Sequence, residues 1–165
     1  METQGLNLFI VDDNKLLVTD LKHYLQTRFG AGINISTFSD GESCLKMVDK
    51  NTNIVILDYF LDGKNGLEVL KEIKTINPNT EVIMLSSNED IVLAIESFRQ
   101  GAKDYVIKGY GSWKKITHLV NHIITEPIRI MVREFGVSKF MATFLFTFII
   151  MGATVLGVLY GMGWI

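Results

Sequence analysis

Cysteine is nearly absent from this chain: 165 residues include one, Cys44. A lone thiol excludes an intramolecular disulfide, and its place in the helical pattern SCLKMV marks it as a small buried apolar residue. Concentrated positive charge is lacking too. Sixteen Lys and Arg stand against eighteen Asp and Glu, and residues 1–126 hold 17 acidic and 13 basic groups. Nucleic-acid binding needs a dense basic patch, so no nucleic-acid partner is expected. The amino terminus, METQGLNLFIVDD, has no basic segment ahead of its short apolar run, which stops at two aspartates, so it is not a secretory leader. Internal repeats and low-complexity stretches are missing. The last absence points to something: from Phe140 to the carboxyl end there is no charged residue of either sign.

Five short runs rich in Leu, Ile, Val and Phe recur at spacings of roughly 20 to 30 residues: LNLFIVD, INISTF, NIVILD, EVIMLS and DYVIK. Most are apolar almost throughout, as expected when both faces of a parallel sheet are covered. Helical patterns separate them. Leu16, Leu17, Leu21, Tyr24 and Leu25 follow the first run, and Cys44, Leu45 and Val48 the second. Leu67, Val69, Leu70 and Ile73 follow the third, ahead of the breaker NPNT, and Ile91, Ala94, Ile95 and Phe98 the fourth. Trp113, Ile116, Leu119, Val120 and Ile123 follow the fifth, with Ser112 as the expected N-cap. This alternation predicts an α/β fold with a doubly wound parallel sheet, whose functional crevice lies at the carboxyl ends of the strands.

Chemistry gathers at those ends. Asp12 and Asp13 close the first strand and Asp58 the third, so three carboxylates should converge. Their mutual repulsion calls for a hard divalent cation, Mg²⁺ first. Ser86 ends the fourth strand and Lys108 the fifth, which adds a hydroxyl and an ammonium to the same rim. Phosphoryl transfer to a carboxylate needs such a set: charge neutralisation, positioning and an Asp nucleophile. Each residue alone has a plainer reading, as a helix cap, a solvated lysine or a turn serine. Five suitable residues at the ends of four strands on one edge are hard to obtain by accident.

FIVDDNK, VILDYFLDGKNG, IMLSS and DYVIKG resemble the receiver domain of two-component response regulators over roughly residues 5–125. The resemblance implies a flavodoxin-like five-stranded sheet of order 2-1-3-4-5. It implies Asp58 as phosphoacceptor, Asp12 and Asp13 as the acidic pair, and Asp13 as the more direct Mg²⁺ ligand. Ser86 becomes the switch hydroxyl, Lys108 the lysine that pairs with the phosphate, and Tyr105 the aromatic that changes rotamer. Gly66 closes the loop after the acceptor strand. Phe60 would give its backbone carbonyl to the metal and shield the acyl phosphate with its ring, and Asn88 occupies the other rim position able to orient water. The chain departs from the family in having Asp62 and Gly109 where proline is common, and the second change argues against a cis peptide at that turn.

The uncharged run Phe140–Tyr160 would extend roughly 31 Å as a helix, which matches the hydrocarbon thickness of a bilayer. Its glycines suit a membrane helix better than a soluble core. A C-terminal transmembrane anchor is therefore expected. Arg129, Arg133 and Lys139 precede it, which would put the receiver in the cytoplasm and Trp164 at the far interface. Ala153, Gly157 and Gly161 form a small-residue stripe through which two copies could pair. Between the domains, Thr125 could cap a new helix with Pro127 in its first turn. Ile128, Met131, Val132 and Phe135 share one face of it before Gly136 interrupts, and three readings stay open: an interfacial helix, a seam between protomers, or a stiff linker.

The expected organisation is a receiver over 1–126, an amphipathic linker over 127–139, and a transmembrane helix with a short tail over 140–165. The expected function is a membrane-anchored phosphoacceptor switch rather than an enzyme. A sensor histidine kinase or phosphotransfer protein would phosphorylate it, and it would signal to an unknown downstream protein by contact, without DNA-binding output. Two rivals stand beside it. A phosphorylation-independent membrane scaffold would use the same fold. A haloacid dehalogenase-like phosphohydrolase would carry a second Asp two residues after the nucleophile, where this chain has Phe60.

Overall fold

The computed structural model describes residues 5–134 and 139–161, and for residues 127–134, 139–146, 155, 158 and 159 the backbone alone. Five strands form one parallel sheet: β1 (Leu6–Val11), β2 (Ile33–Phe38), β3 (Thr52–Asp58), β4 (Glu81–Ser86) and β5 (Asp104–Ile107). Their order is β2-β1-β3-β4-β5, as the resemblance implies. The intervening helices are α1 (Lys15–Phe29), α2 (Gly41–Leu45), α3 (Gly66–Ile76) and α4 (Ile91–Arg99), followed by α5 (Ser112–Glu134) and α6 (Lys139–Gly161). By contacts the chain divides into two compact units, Met1–Ile123 and Ile124–Ile165.

The central strands are apolar because both faces of the sheet are covered. Phe9, Val11, Val55, Leu57, Val82 and Met84 point to one face, where Cys44, Val69, Leu70 and Ile73 join them in a continuous core. The alternate residues Leu8, Ile10, Ile54, Ile56, Ile83 and Leu85 are buried on the other, as are Leu21 and Leu25 of α1 and Ile116 and Val120 of α5. Fully burying one such side chain stabilises by about 1.5–3 kcal/mol, so these two layers dominate the stability of the unit. The segment read only as a breaker has a further task at the opposite end of the sheet. Asn77 donates to the carbonyls of Asp49 and Thr52, and the buried Thr80 hydroxyl donates to Thr52 at 2.8 Å, so side chains satisfy the carbonyls at the amino end of β3 that these bonds reach.

Three local expectations need correction. Ser112 does not cap α5 with its side chain; it is the first helical residue, and its hydroxyl donates to the Gly109 carbonyl at 2.8 Å. No new helix begins at Thr125, because α5 runs unbroken through Thr125 and Pro127 to Glu134. In the sequence, Ile116, Val120, Ile123, Pro127 and Ile130 recur at steps of three and four, and this stripe carries the helical period across a proline that lacks one backbone donor. Helix α2 ends at Leu45, and Val48 is buried beyond it in a turn held by its amide on the Cys44 carbonyl.

Helix α6 has 23 residues, but among the described residues no helix is long and apolar enough to cross a membrane, so the expected transmembrane span is not found there. Much of the predicted run, Phe140 to Phe146 included, lies among residues described by backbone alone. Trp164, Phe135 and Gly136 lie outside the described residues, as do the side chains of Ile128, Arg129, Met131, Val132, Arg133 and Lys139. Gly157 and Gly161 are within α6, and a Cβ built on either would meet nothing within 4 Å.

Candidate functional site

Parallel register sets the site. Val11 pairs with Leu57 and Asp58 with Leu85, so the residues just past β1 and those ending β3 and β4 lie side by side at one sheet edge. The helix caps leave the acidic residues free for other work. Asn14 caps α1 by accepting from the Leu16 and Leu17 amides, and Asn65 caps α3 in a reciprocal box with Glu68. Neither Asp12, Asp13 nor Asp58 caps a helix, which removes the plainer reading of all three.

Asp12, Asp13 and Asp58 each bring one carboxylate oxygen within 4.8 Å of the others. Asp12 is 1% exposed and Asp58 2%, while Asp13 is open to solvent. Lys108 reaches in from the end of β5, and its Nζ donates to Asp58 Oδ2 at 2.7 Å. The same ammonium stands 2.8 Å from Asp12 Oδ2. Asp12 Oδ1 accepts the Asn14 amide at 2.9 Å. Asp58 Oδ1 is buried and makes no hydrogen bond of ordinary geometry, although the Phe60 amide acts on the same carboxylate and favours its charged form.

Two buried carboxylates therefore share one cation. Burial pushes the Asp58 carboxyl above its ordinary range; Lys108 opposes this, and the charge of Asp12 adds to it. Burial taken alone would lower the Lys108 ammonium, but its bonds to Asp12 and Asp58 outweigh that and raise it. An uncompensated anionic site with an orphaned buried oxygen suits a hard divalent cation with oxygen ligands, so the donor set fits Mg²⁺.

The remaining predicted residues fall around this centre. Ser86 is fully buried at the end of β4; its Oγ accepts the Asn88 amide at 3.1 Å, and its carbonyl accepts the Lys108 amide at 2.7 Å. Tyr105 is turned inward, 8% exposed, with its hydroxyl donating to the Asn88 carbonyl at 2.9 Å. Asn88 thus joins Ser86 to Tyr105 through its backbone, a link that its side-chain chemistry could not reveal. Phe60 stands half exposed beside Asp58, its ring edge-on to Tyr59 at 4.8 Å. Asp62 is exposed in the same loop. The Lys108–Gly109 peptide is trans, as the missing proline implies, with Gly109 at φ 157°.

Gly66 is required by packing. A Cβ there would sit 2.4 Å from the Asp58 carbonyl oxygen and 2.8 Å from Tyr59 Cα, both backbone atoms that cannot step aside. Its amide donates to the Tyr59 carbonyl at 2.9 Å and ties α3 to the turn after Asp58. Sequence reasoning missed Glu42, whose carboxylate accepts the Lys64 amide at 3.3 Å and lies against Gly63, steadying the loop from α2. An acidic residue in a first helical turn gave no signal of that role.

The family described as response regulator receiver domain matches residues 8–121. Among curated proteins, the chain is 31% identical over 104 residues to the DNA-binding transcriptional regulator NtrC of Escherichia coli, covering 62% of this chain and 22% of that one. It is 29% identical over 112 residues to the transcriptional regulatory protein CpxR of Klebsiella pneumoniae, covering 68% and 47%. It therefore spans less than half the length of these relatives. Among solved structures, the BeF3-activated DrrB receiver domain superposes with TM-score 0.67 at 27% identity, covering 74% of this chain and all of that one. A chain of the CheX–CheY–BeF3–Mg complex from Borrelia burgdorferi gives TM-score 0.62 at 28% identity, covering 74% and 89%. With the matched span covering well over half of the sequence and enclosing every residue of the acidic edge, this chain belongs to the response regulator receiver domain family.

Proposed function

We propose that the chain is a phosphoacceptor switch in which Asp58 takes a phosphoryl group from a histidine kinase or phosphotransfer protein, the partners with which receiver domains interact. The observation that carries this reading is the asymmetry of the Asp58 carboxylate: Oδ2 is fixed by Lys108, while Oδ1 is buried without a hydrogen bond of ordinary geometry. An oxygen without a hydrogen bond keeps its lone pairs open for attack on phosphorus. Attack on phosphohistidine forms the new O–P bond as the P–N bond breaks, and the electron pair leaves on the imidazole nitrogen. Lys108 and the Ser86 hydroxyl are placed to bind the oxygens of the transferred group.

Receiver domains bind Mg²⁺ at an acidic pocket, and here Asp12, Asp13, Asp58 and the Phe60 carbonyl would hold it. When bound, the ion offsets charge on the transferring phosphoryl group. Charge on Asp58 would draw Ser86 toward it and alter the contact through Asn88 to Tyr105, changing the surface of α4, β5 and α5. The chain acts in this reading as a switch that signals by protein contact, with no turnover of a separate substrate.

Membrane attachment through residues 140–160 is part of the proposal, with the receiver on the cytoplasmic side and pairing through Ala153, Gly157 and Gly161. Its support is the uncharged sequence after Lys139, which the backbone carries as α6. Retention of the full chain in the lipid fraction after alkaline carbonate extraction, with release on deleting residues 140–165, tests it.

The central test is intact mass of the protein after acetyl phosphate with and without Mg²⁺, beside Asp58→Ala. One added phosphoryl group that needs both Mg²⁺ and Asp58 is the expected result. No addition, under conditions that phosphorylate a control receiver, would favour the phosphorylation-independent scaffold.

A further inference from the structure

The chain has three histidines, His23, His118 and His122, and all lie on the two helices α1 and α5 that cover one face of the sheet. His23 and His118 line one cleft of about 910 Å³ between these helices, and His118 stacks on His122 with ring centroids 6.4 Å apart. The floor of the cleft is aromatic. Tyr24 and Trp113 meet there at 5.5 Å, tilted by 52°, with Phe29 beside them. Tyr24 is 39% exposed despite this pairing, so its ring presents free surface to whatever enters.

Charge at the cleft is unbalanced. Arg28 and Lys114 stand on its rim against the single carboxylate Asp20, and neither Arg28 nor Lys114 forms an ion pair among the described residues. Two cations less one anion leave one positive charge. A second cavity of about 390 Å³ shares Tyr24, Trp113 and Lys114 with the first and reaches Gly109, Tyr110 and Gly111. That segment immediately follows Lys108, and Tyr110 in it is fully exposed between two glycines.

We propose that the α1–α5 cleft binds a small planar aromatic anion, such as an aromatic carboxylate. Its volume lies in the range of small-molecule sites, which are lined mainly by apolar and aromatic groups with a few polar ones that fix orientation. The rings of Tyr24 and Trp113 supply a stacking surface. Arg28 and Lys114 supply charge-assisted donors for the anionic group. The protein imidazoles supply further donors. Because the adjoining cavity extends to the loop after Lys108, an occupant bears on the segment that holds the cation of the acidic edge. The site stands apart from the phosphoacceptor and does not depend on Asp58 being phosphorylated.

The test uses full-length protein carrying Trp164→Phe, which leaves Trp113 as its one tryptophan, in a mild detergent. Its fluorescence is titrated with 4-nitrobenzoate, a contact quencher of the stated class, and with neutral 4-nitrobenzyl alcohol. Saturable quenching by the anion is expected, displaced by benzoate far better than by cyclohexanecarboxylate. Its half-saturation should move upward about tenfold in Arg28→Gln/Lys114→Gln, two exposed changes that spare the core. Linear quenching of equal slope for the acid and the alcohol, unchanged in the double variant, would overturn the proposal and leave the cleft as a surface for docking protein.

Discussion

Asp58→Asn should stabilise the metal-free protein. In the wild type, the folded state holds Asp12 and Asp58 buried together with one ammonium between them, and Asp58 Oδ1 is buried without a hydrogen bond of ordinary geometry. Leaving such a group unsatisfied costs about 1–3 kcal/mol, more when charged. The amide keeps an oxygen for Lys108 and removes the negative charge that burial penalises. A gain of about 2 kcal/mol follows, which in a domain of this size raises Tm by roughly 5–10 °C. The pH dependence has a definite sign. The folded-state pKa of Asp58 is raised above the ordinary carboxyl value of 3.8, chiefly by burial. Below 3.8 the carboxyl is protonated in both states and the wild type carries no penalty; the penalty grows as pH rises through the raised folded value and stays above it. The assay is calorimetry in EDTA from pH 3.5 to 8. The variant should be the more stable at pH 7, with the gap closing toward pH 3.5. A variant no more stable than wild type at pH 7, or a gap that persists undiminished at pH 3.5, would refute the argument.

Gly66→Ala should lower stability by about 1–3 kcal/mol, because the new Cβ meets backbone on both sides and must displace the turn after Asp58; the urea midpoint reads this, and slower phosphorylation of Asp58 should accompany it. Cys44, with its thiol pushed up to about 12 by burial, should resist iodoacetamide in the native protein at pH 8 and react once the protein is unfolded in urea. Tyr105→Phe removes the 2.9 Å bond to the Asn88 carbonyl and should cost about 1 kcal/mol, seen as a lower urea midpoint at unchanged slope together with faster amide exchange around Asn88.

The strands were readable because a parallel sheet covered on both faces demands unbroken apolar runs; three runs ended with their strands, at Phe38, Asp58 and Ser86, and the other two overran Val11 and Ile107 by one residue. Asp12, Asp58, Ser86 and Lys108 were readable for a related reason: strand ends in this fold converge, so position along the chain implied position in space. What escaped notice depends on contacts rather than on period. The inward turn of Tyr105 depends on a carbonyl of Asn88, and the loop after Asp58 depends on Glu42, from a different helix. The helix start expected at Thr125 rested on a proline, which local chemistry reads as a boundary, whereas the apolar stripe of α5 runs on through it.

The placing of Lys108 has a consequence for how the molecule breathes. It follows β5, a strand of four residues at the edge of the sheet, bonded to β4 on one side only. Its partner Asp58 ends β3, paired on both sides and fifty residues away in sequence. Short edge elements detach at a lower free energy than the strands they border. Each such fraying event would withdraw the ammonium while both carboxylates stayed in place on intact strands, so the acidic edge can lose its cation without the domain unfolding.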